Sequence, residues 1–273
     1  MRLLAIAVVT LATAAAYAKS NTEYYFQPAA SQSAVELKYD MDSMPKDGVK
    51  LTRNDIWLRY LYGLSETNTL GIYLASGESK SDATDAVKAS GMTDLHPFWE
   101  AYSDMWHYGV DLGISTAKYK ATTRASGGMS LAAHIGMLMS SNAWNYGADL
   151  RYTMPMERSY DDAAGTKVTG GSTPRIAGFT EYNYGMGFVG AELSYAMVGD
   201  TTTKVGAAES KEKGESDMGL ALNGSYDIND MWTGLLTIAS ITHPEHDVSD
   251  VPAAGKVKAF TETDVQLGVR ATF

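Results

Sequence analysis

The sequence contains no cysteine among its 273 residues, which excludes disulfide bonds and thiolate metal sites but does not argue against export. Beyond the N-terminal stretch, no run approaches the roughly 20 apolar residues that a membrane-spanning helix requires. Basic residues are few, since 22 lysines and arginines stand against 32 acidic residues, a formal net charge of -10. Nucleic acid is therefore not an expected partner, because phosphate-binding surfaces are basic.

The first 18 residues have the organisation of a secretory signal peptide. Arg2 supplies a positive charge, Leu3 to Ala16 form an apolar stretch, and Ala16-Tyr17-Ala18 has the small-x-small pattern of a cleavage site. No cysteine follows this site, which excludes a lipoprotein anchor. We expect a signal peptide at 1–18 and a mature, exported region at 19–273.

The rest of the sequence alternates between apolar and polar residues. For example, Tyr108, Val110 and Leu112 alternate with His107 and Asp111. A period of two is typical of β-strands with one apolar and one polar face. Strong segments begin near residues 35, 56, 70, 107, 131, 144, 189, 218, 232 and 264, and weaker ones lie near 92–102 and 175–184. These segments predict about twelve strands.

Short and long connections alternate between the predicted strands. Short links lie near 65–68, 103–104, 140–142, 184–187 and 228–230, and long polar stretches near 42–49, 77–91, 117–128, 155–174, 199–216 and 242–257. Short turns at one end and long loops at the other are typical of a transmembrane antiparallel up-and-down β-barrel. We refer to these ends as the short-turn end, which also holds both chain termini, and the long-loop end.

Large aromatic residues on the apolar faces cluster near the short turns. They are Tyr60, Tyr62, Trp106, Tyr108, Trp144, Tyr146, Tyr182, Tyr226, Trp232 and Phe273. Tyrosine and tryptophan favour the interface between lipid and water, so this set predicts an aromatic belt. A soluble all-β sandwich is the alternative, but it has no reason to place its aromatic residues in one ring.

The C-terminal stretch resembles the closing strand of Gram-negative outer-membrane β-barrel proteins. Thr261 to Phe273 alternates apolar and polar residues and ends in phenylalanine. The resemblance implies an all-β barrel in the outer membrane, in contact with its lipid bilayer. It also implies that the barrel-assembly machinery reads Phe273 as a signal.

Residue parity directs the polar residues of the strands toward the barrel lumen. Eight of these residues are acidic and four are basic: Glu36, Asp40, Asp55, Asp111, Asp149, Glu181, Glu192 and Asp264 against Lys38, Arg59, Arg151 and Arg270. An acidic excess in a narrow lumen favours cations. The residues expected to set ion selectivity are Asp55, Arg59, Asp111, Asp149, Arg151, Glu192 and Arg270.

These features predict a narrow, mildly cation-preferring channel for passive diffusion of small polar solutes. The alternative is a closed barrel, filled by paired charges, whose loops serve a structural, receptor or adhesin role. Phosphate-binding and HExxH motifs are absent, so no enzymatic activity, cofactor or metal is expected. An omptin-like protease or a metal-binding rim remains open, because His243, Glu245, His246 and Asp247 in the last long loop could meet Asp161 and Asp162.

Overall fold

The alternating segments form twelve long antiparallel strands, as the sequence predicts. The computed structural model describes residues 22–46, 49–82, 88–118, 120, 122–160, 165–247 and 256–273. The signal peptide expected at 1–18 lies outside this range. The strands are β1 Ser33–Lys46, β2 Val49–Ser65, β3 Asn68–Ser81, β4 His96–Ser103, β5 Trp106–Ile114, β6 Met129–Ser141, β7 Trp144–Pro155, β8 Thr173–Asn183, β9 Phe188–Met197, β10 Ser216–Asp227, β11 Trp232–His243 and β12 Phe260–Thr272. Within the described residues, no helix is long and apolar enough to cross a membrane.

Pairing of the first and last strands closes the sheet into a barrel. Each strand pairs with its neighbours in the chain, and β1 pairs with β12 in a register that sets Glu36 opposite Arg270. Closure gives the backbone groups of both terminal strands a partner and removes exposed sheet edges. The predicted twelve-stranded antiparallel barrel is therefore confirmed.

The two faces of the strands differ sharply in exposure and in chemistry. On the outer face, Leu193 and Leu222 are 59% and 55% exposed, whereas the inward Asp55 is 2% exposed. Water does not stabilise a continuous apolar outer surface of this kind, but the hydrocarbon layer of a membrane does. The outward aromatic residues follow the predicted belt, and Trp144 contacts Tyr182 at a ring separation of 4.9 Å.

The long-loop end contains more strand structure than the sequence suggested. The stretch 42–49, expected as a long loop, belongs to β1 and β2 except for residues outside the described range. Two other expected loops, 155–174 and 199–216, contribute to a four-stranded sheet. Its strands are Arg158–Ser159, Lys167–Thr169, Thr201–Val205 and Ala208–Glu212. Polar, exposed strands lack the apolar alternation that marks a half-buried strand, so the pattern did not reveal them.

Candidate functional site

The segment that precedes β1, residues 22–32, folds into the lumen at the short-turn end. Its first contacts are with Glu181 on β8. The hydroxyl of Thr22 and the backbone N–H of Tyr24 donate hydrogen bonds to this carboxylate at 2.6 and 2.5 Å. The segment returns to the wall where the N–H of Ser31 donates to the carbonyl of Gly63 at 2.7 Å. The N-terminal segment thus bridges opposite parts of the barrel wall.

Aromatic stacking holds the middle of the N-terminal segment against the inner wall. The Tyr24 ring stacks on Phe179 with a centroid distance of 3.7 Å, and the Tyr25 ring lies 4.0 Å from His107. The Tyr25 hydroxyl donates to the Asp149 carboxylate at 3.2 Å. Gly136 makes room for this hydroxyl, because a Cβ there would lie 1.9 Å from the Tyr25 oxygen. The segment and the wall are therefore matched in shape.

Arg270 on β12 also binds the N-terminal segment, through Glu23 and Phe26. The Arg270 guanidinium donates hydrogen bonds to both oxygens of Glu23, at 2.6 and 2.9 Å, and lies 3.5 Å from the ring centroid of Phe26. The same guanidinium donates to Glu36 at 3.4 Å. Charge-assisted bidentate pairs of this type are strong and geometrically specific. Arg270 therefore anchors the segment in place.

A central cavity of about 340 Å³ lies inside the barrel. It is lined by Glu36, Lys38, Trp57, Arg59, Tyr73, Phe98, Glu100, Val110, Asp111, His134, Arg151 and Gln266. Its two arginine side chains form only long ion pairs with the neighbouring carboxylates. Arg59 lies 3.6 Å from Glu36 and 3.7 Å from Glu100, and Arg151 lies 3.8 Å from Asp111. At these separations the guanidinium groups make ion pairs but keep N–H groups available for a solute.

Two further cavities extend from the central one along the inner wall. The first, of about 210 Å³, lies between the N-terminal segment and strands β8 to β11, and shares Glu36, Lys38 and Arg59 with the central cavity. The second, of about 260 Å³, lies farther along β9 and β10 and shares Glu192 with the first. Charged side chains therefore separate three successive spaces.

A loop at the long-loop end also enters the barrel. Residues 115–128 join β5 to β6, and from this loop Arg124 donates a 2.5 Å hydrogen bond to Asp55 on β2. The backbone N–H of Ser126 donates to Asp94 at 2.9 Å, which fixes the same loop. The lumen is narrowed by a loop at the long-loop end and by the N-terminal segment at the short-turn end.

Carboxylates concentrate on the inner wall of β1 and β12 toward the long-loop end. Asp42 lies beside Glu262, and Asp40 lies beside Asp264. Arg53 forms an ion pair with Asp42 at 3.3 Å. Closely spaced carboxylates retain a proton or attract cations, because like charges at this distance repel. We call this part of the lumen, formed by Asp40, Asp42, Glu262 and Asp264, the acidic wall.

All seven residues predicted to control ion selectivity lie on the inner wall. Arg59, Asp111 and Arg151 line the central cavity, whereas Glu192 lies between the other two cavities. The remaining three, Asp55, Asp149 and Arg270, bind the loop or the N-terminal segment. Asp111 is also bonded to His96 at 2.9 Å. All seven residues therefore face one lumen. Four of them line the cavities, and three bind the 115–128 loop or the N-terminal segment.

Several important inner-wall residues were missed in the sequence. Glu100 and His96 lie in the weakly alternating segment 92–102, and Arg175, which pairs with Glu192, lies in 175–184. Counting back by twos from Glu181 would have directed Arg175 inward. Glu23 and Arg124 lie outside the alternating segments, so the period gave no signal for them.

The rim cluster considered from the sequence lies partly outside the described residues, so its assembly stays a prediction. His243 turns toward the lumen and faces Asp217 and Glu262. Asp161 and Asp162, the expected partners of the rim, lie outside the described residues.

Comparison with solved structures shows the same barrel architecture in outer-membrane channels. The chain is similar to the COG4313 outer membrane channel from Pseudomonas putida F1, with a TM-score of 0.71, 13% identity, and coverage of 92% of this chain and 98% of that one. It is also similar to the CymD monoaromatic hydrocarbon channel, with a TM-score of 0.51, 9% identity and 89% coverage of both chains. The KdgM porin aligns with a TM-score of 0.46 and 10% identity over 87% of this chain and 99% of that one.

No family model matches the sequence, and no curated protein is significantly similar to it. At identities this low, structural similarity shows the fold alone. The chain has the fold of Gram-negative outer-membrane β-barrel proteins.

Proposed function

We propose that this protein is a narrow outer-membrane channel for passive diffusion of small hydrophilic solutes, with a mild preference for cations. The observation that carries the proposal is the succession of three internal cavities, each of which is bordered by charged side chains. A barrel with a purely structural role has no need for internal cavities that are bordered by charged side chains. Volumes of about 210 to 340 Å³ suit small solutes only.

The acidic wall supports the cation preference. Asp40, Asp42, Glu262 and Asp264 lie together on β1 and β12. In contrast, the central cavity combines Glu36, Glu100 and Asp111 with Lys38, Arg59 and Arg151, so its charges are balanced. A narrow lumen with low-dielectric walls concentrates the field of the acidic wall. We infer a modest preference for cations, because the balanced central cavity admits both signs.

The membrane partners follow from the outer surface and the closing strand. The exposed apolar belt contacts the lipid bilayer. Phe273 ends the chain beside β1, where its backbone N–H and C=O bond to Ser33 at 2.9 and 2.7 Å. We propose that the barrel-assembly machinery reads this terminal residue. A non-enzymatic role is supported by the similarity to the COG4313 channel and the CymD channel, and nucleic acid has no place in this proposal.

A closed barrel with a receptor or structural role is the second candidate. The N-terminal segment favours it, because Glu181, Asp149 and Arg270 all bind this segment across the lumen. Arg124 adds a second obstruction at the opposite end. Under this alternative the four-stranded sheet at the long-loop end would be the interaction surface.

Conductance separates the two candidates. Refolded protein is inserted into a planar lipid bilayer, and current is recorded across a salt gradient. A channel gives discrete conductance steps with a reversal potential displaced toward cation selectivity. A folded barrel without steps would exclude the channel, and anion preference would exclude the proposed selectivity.

A further inference from the structure

Three acidic residues surround His243 at the long-loop end of the lumen. Its Nδ1 lies 2.7 Å from an Asp217 oxygen and 3.9 Å from a Glu215 oxygen, and its Nε2 lies 3.2 Å from a Glu262 oxygen. Asp217 lies on β10 and Glu215 immediately before it. His243 lies on β11 and Glu262 on β12. One ligand atom from each of His243, Asp217 and Glu215 lies within 4.8 Å of the other two.

The hydrogen bonding of His243 is incomplete on the side of Asp217. The residue is only 8% exposed, and neither its Nδ1 nor the facing Asp217 oxygen has a hydrogen-bond partner of acceptable geometry. A neutral imidazole carries a single N–H. If that proton lies on Nε2 and is donated to Glu262, the Nδ1 lone pair points at a carboxylate oxygen. Two buried acceptors then face each other, an arrangement that a cation stabilises.

The surroundings resemble the support that proteins give to a metal-bound histidine. A ligating histidine usually donates its other N–H to a carboxylate, which fixes the tautomer and the ring orientation. Glu262 occupies that position beside Nε2. The Phe260 ring stacks on the imidazole at a centroid distance of 4.4 Å and an angle of 18°, which restricts ring rotation. The histidine is thereby held with Nδ1 toward the two carboxylates.

We propose that His243, Asp217 and Glu215 form a binding site for a divalent transition-metal ion such as Zn²⁺, with Glu262 as the positioning residue. Imidazole nitrogen and carboxylate oxygen are ordinary zinc ligands, with metal–ligand distances of about 2.0 to 2.2 Å. Calcium prefers a site made of oxygen atoms alone, so the imidazole favours zinc. The site lies at the long-loop end of the lumen. Metal binding there does not depend on whether the barrel conducts.

A second histidine cluster in the lumen provides a matched control. Glu100, His107 and His134 also lie close together, but His107 Nδ1 and His134 Nε2 are already hydrogen-bonded to each other at 3.1 Å. A metal at that cluster would have to break this bond. His134→Gln therefore removes a lumen histidine without touching the proposed site.

The test uses the refolded, chelator-treated chain in detergent, titrated with Zn²⁺ by calorimetry and with Co²⁺ by visible absorption. We expect one ion per chain, with affinity reduced at least about tenfold in His243→Gln and in Asp217→Asn. Glu262→Gln should weaken binding by about ten- to one-hundredfold. His134→Gln should bind as the wild type does, and the Co²⁺ absorption should disappear in His243→Gln. Heat-modifiable migration on gels confirms that each variant is folded.

Three results would overturn the proposal. The first is a folded wild-type chain that binds no Zn²⁺, which would assign His243 to an imidazolium paired with Asp217 and Glu262. The second is equal binding by wild type, His243→Gln and Asp217→Asn. The third is loss of binding in His134→Gln alone, which would move the ion to the other cluster. None of these results bears on conductance, so the channel proposal is judged separately.

Discussion

Arg270 on the closing strand holds Glu23 of the N-terminal segment in a bidentate ion pair, with N–O distances of 2.6 and 2.9 Å between residues 247 positions apart. The Arg270 side chain is 5% exposed, so the pair is shielded from solvent. Removing one partner of a buried ion pair leaves an uncompensated charge and typically costs about 3 to 5 kcal/mol. We therefore expect that breaking this pair changes how far the N-terminal segment fills the lumen.

Glu23→Ala should loosen the N-terminal segment and raise the single-channel conductance. Without Glu23, Arg270 keeps its 3.4 Å hydrogen bond to Glu36 and its contact with the Phe26 ring, but the segment loses its bidentate ion pair at this side. Conductance of refolded variants in planar bilayers measures the effect. Glu209→Ala, a change in the exposed hairpin, is the control and should conduct like the wild type.

Gly136→Val should also displace the N-terminal segment from the inner wall, without changing its ion pair with Arg270. The added side chain would occupy the position of the Tyr25 hydroxyl and force that ring away from the wall. Both variants should therefore raise conductance. Unchanged conductance in both would mean that the N-terminal segment does not limit the current.

The barrel itself was predictable because lipid imposes a strict period on the sequence. Every second residue of a spanning strand meets hydrocarbon, so Leu193, Leu222 and their equivalents mark both the strands and their orientation. The same parity correctly directed Asp111, Asp149 and Arg151 inward. A one-residue error would have exchanged the two faces, which makes this agreement informative.

The obstructions inside the lumen were not predictable by the same reasoning. Glu23 and Arg124 belong to irregular segments, whose conformation depends on contacts with residues far away in the chain. The partner of Glu23 is Arg270, and the partner of Arg124 is Asp55. A local pattern carries no information about such pairings. The sequence therefore identified the wall of the lumen but not what fills it.

Substitutions at neighbouring positions of β10 test the assignment of faces. Leu222→Arg places a charge in the hydrocarbon layer and should lower the free energy of unfolding by about 2 to 4 kcal/mol. Asn223→Asp should be tolerated, because its inward side chain still accepts the 3.0 Å hydrogen bond from Thr237. Urea titration of unfolding in lipid vesicles measures both. Comparable losses in the two variants would show that the register is wrong.

Accessibility of single cysteines tests the orientation of the barrel in the membrane. The chain has no native cysteine, so each introduced thiol reports on one position. On intact cells, Ala208→Cys at the long-loop end should react with an impermeant reagent, whereas Asn229→Cys at the short-turn end should react only after lysis. Labelling of Asn229→Cys alone would invert the topology.

Selectivity is expected to depend on the acidic wall more than on the carboxylates of the central cavity. Asp111 is hydrogen-bonded to His96 and paired with Arg151, and Asp149 accepts a hydrogen bond from Tyr25. Asp40 and Asp264 instead contact each other. The double substitution Asp40→Asn and Asp264→Asn removes the negative charge that this pair carries.

Both asparagines can keep the local hydrogen bonds, which makes the change primarily electrostatic. Asp40 accepts from the Trp57 indole at 2.9 Å, and Asp264 accepts from the Gln266 amide at 2.9 Å. An amide oxygen can accept in the same positions. The reversal potential across a salt gradient should therefore move toward the value of a non-selective pore, with little change in stability. Glu209→Gln, which removes a charge outside the lumen, should leave the reversal potential unchanged. If the double variant keeps the full cation preference of the wild type, the acidic wall does not set selectivity.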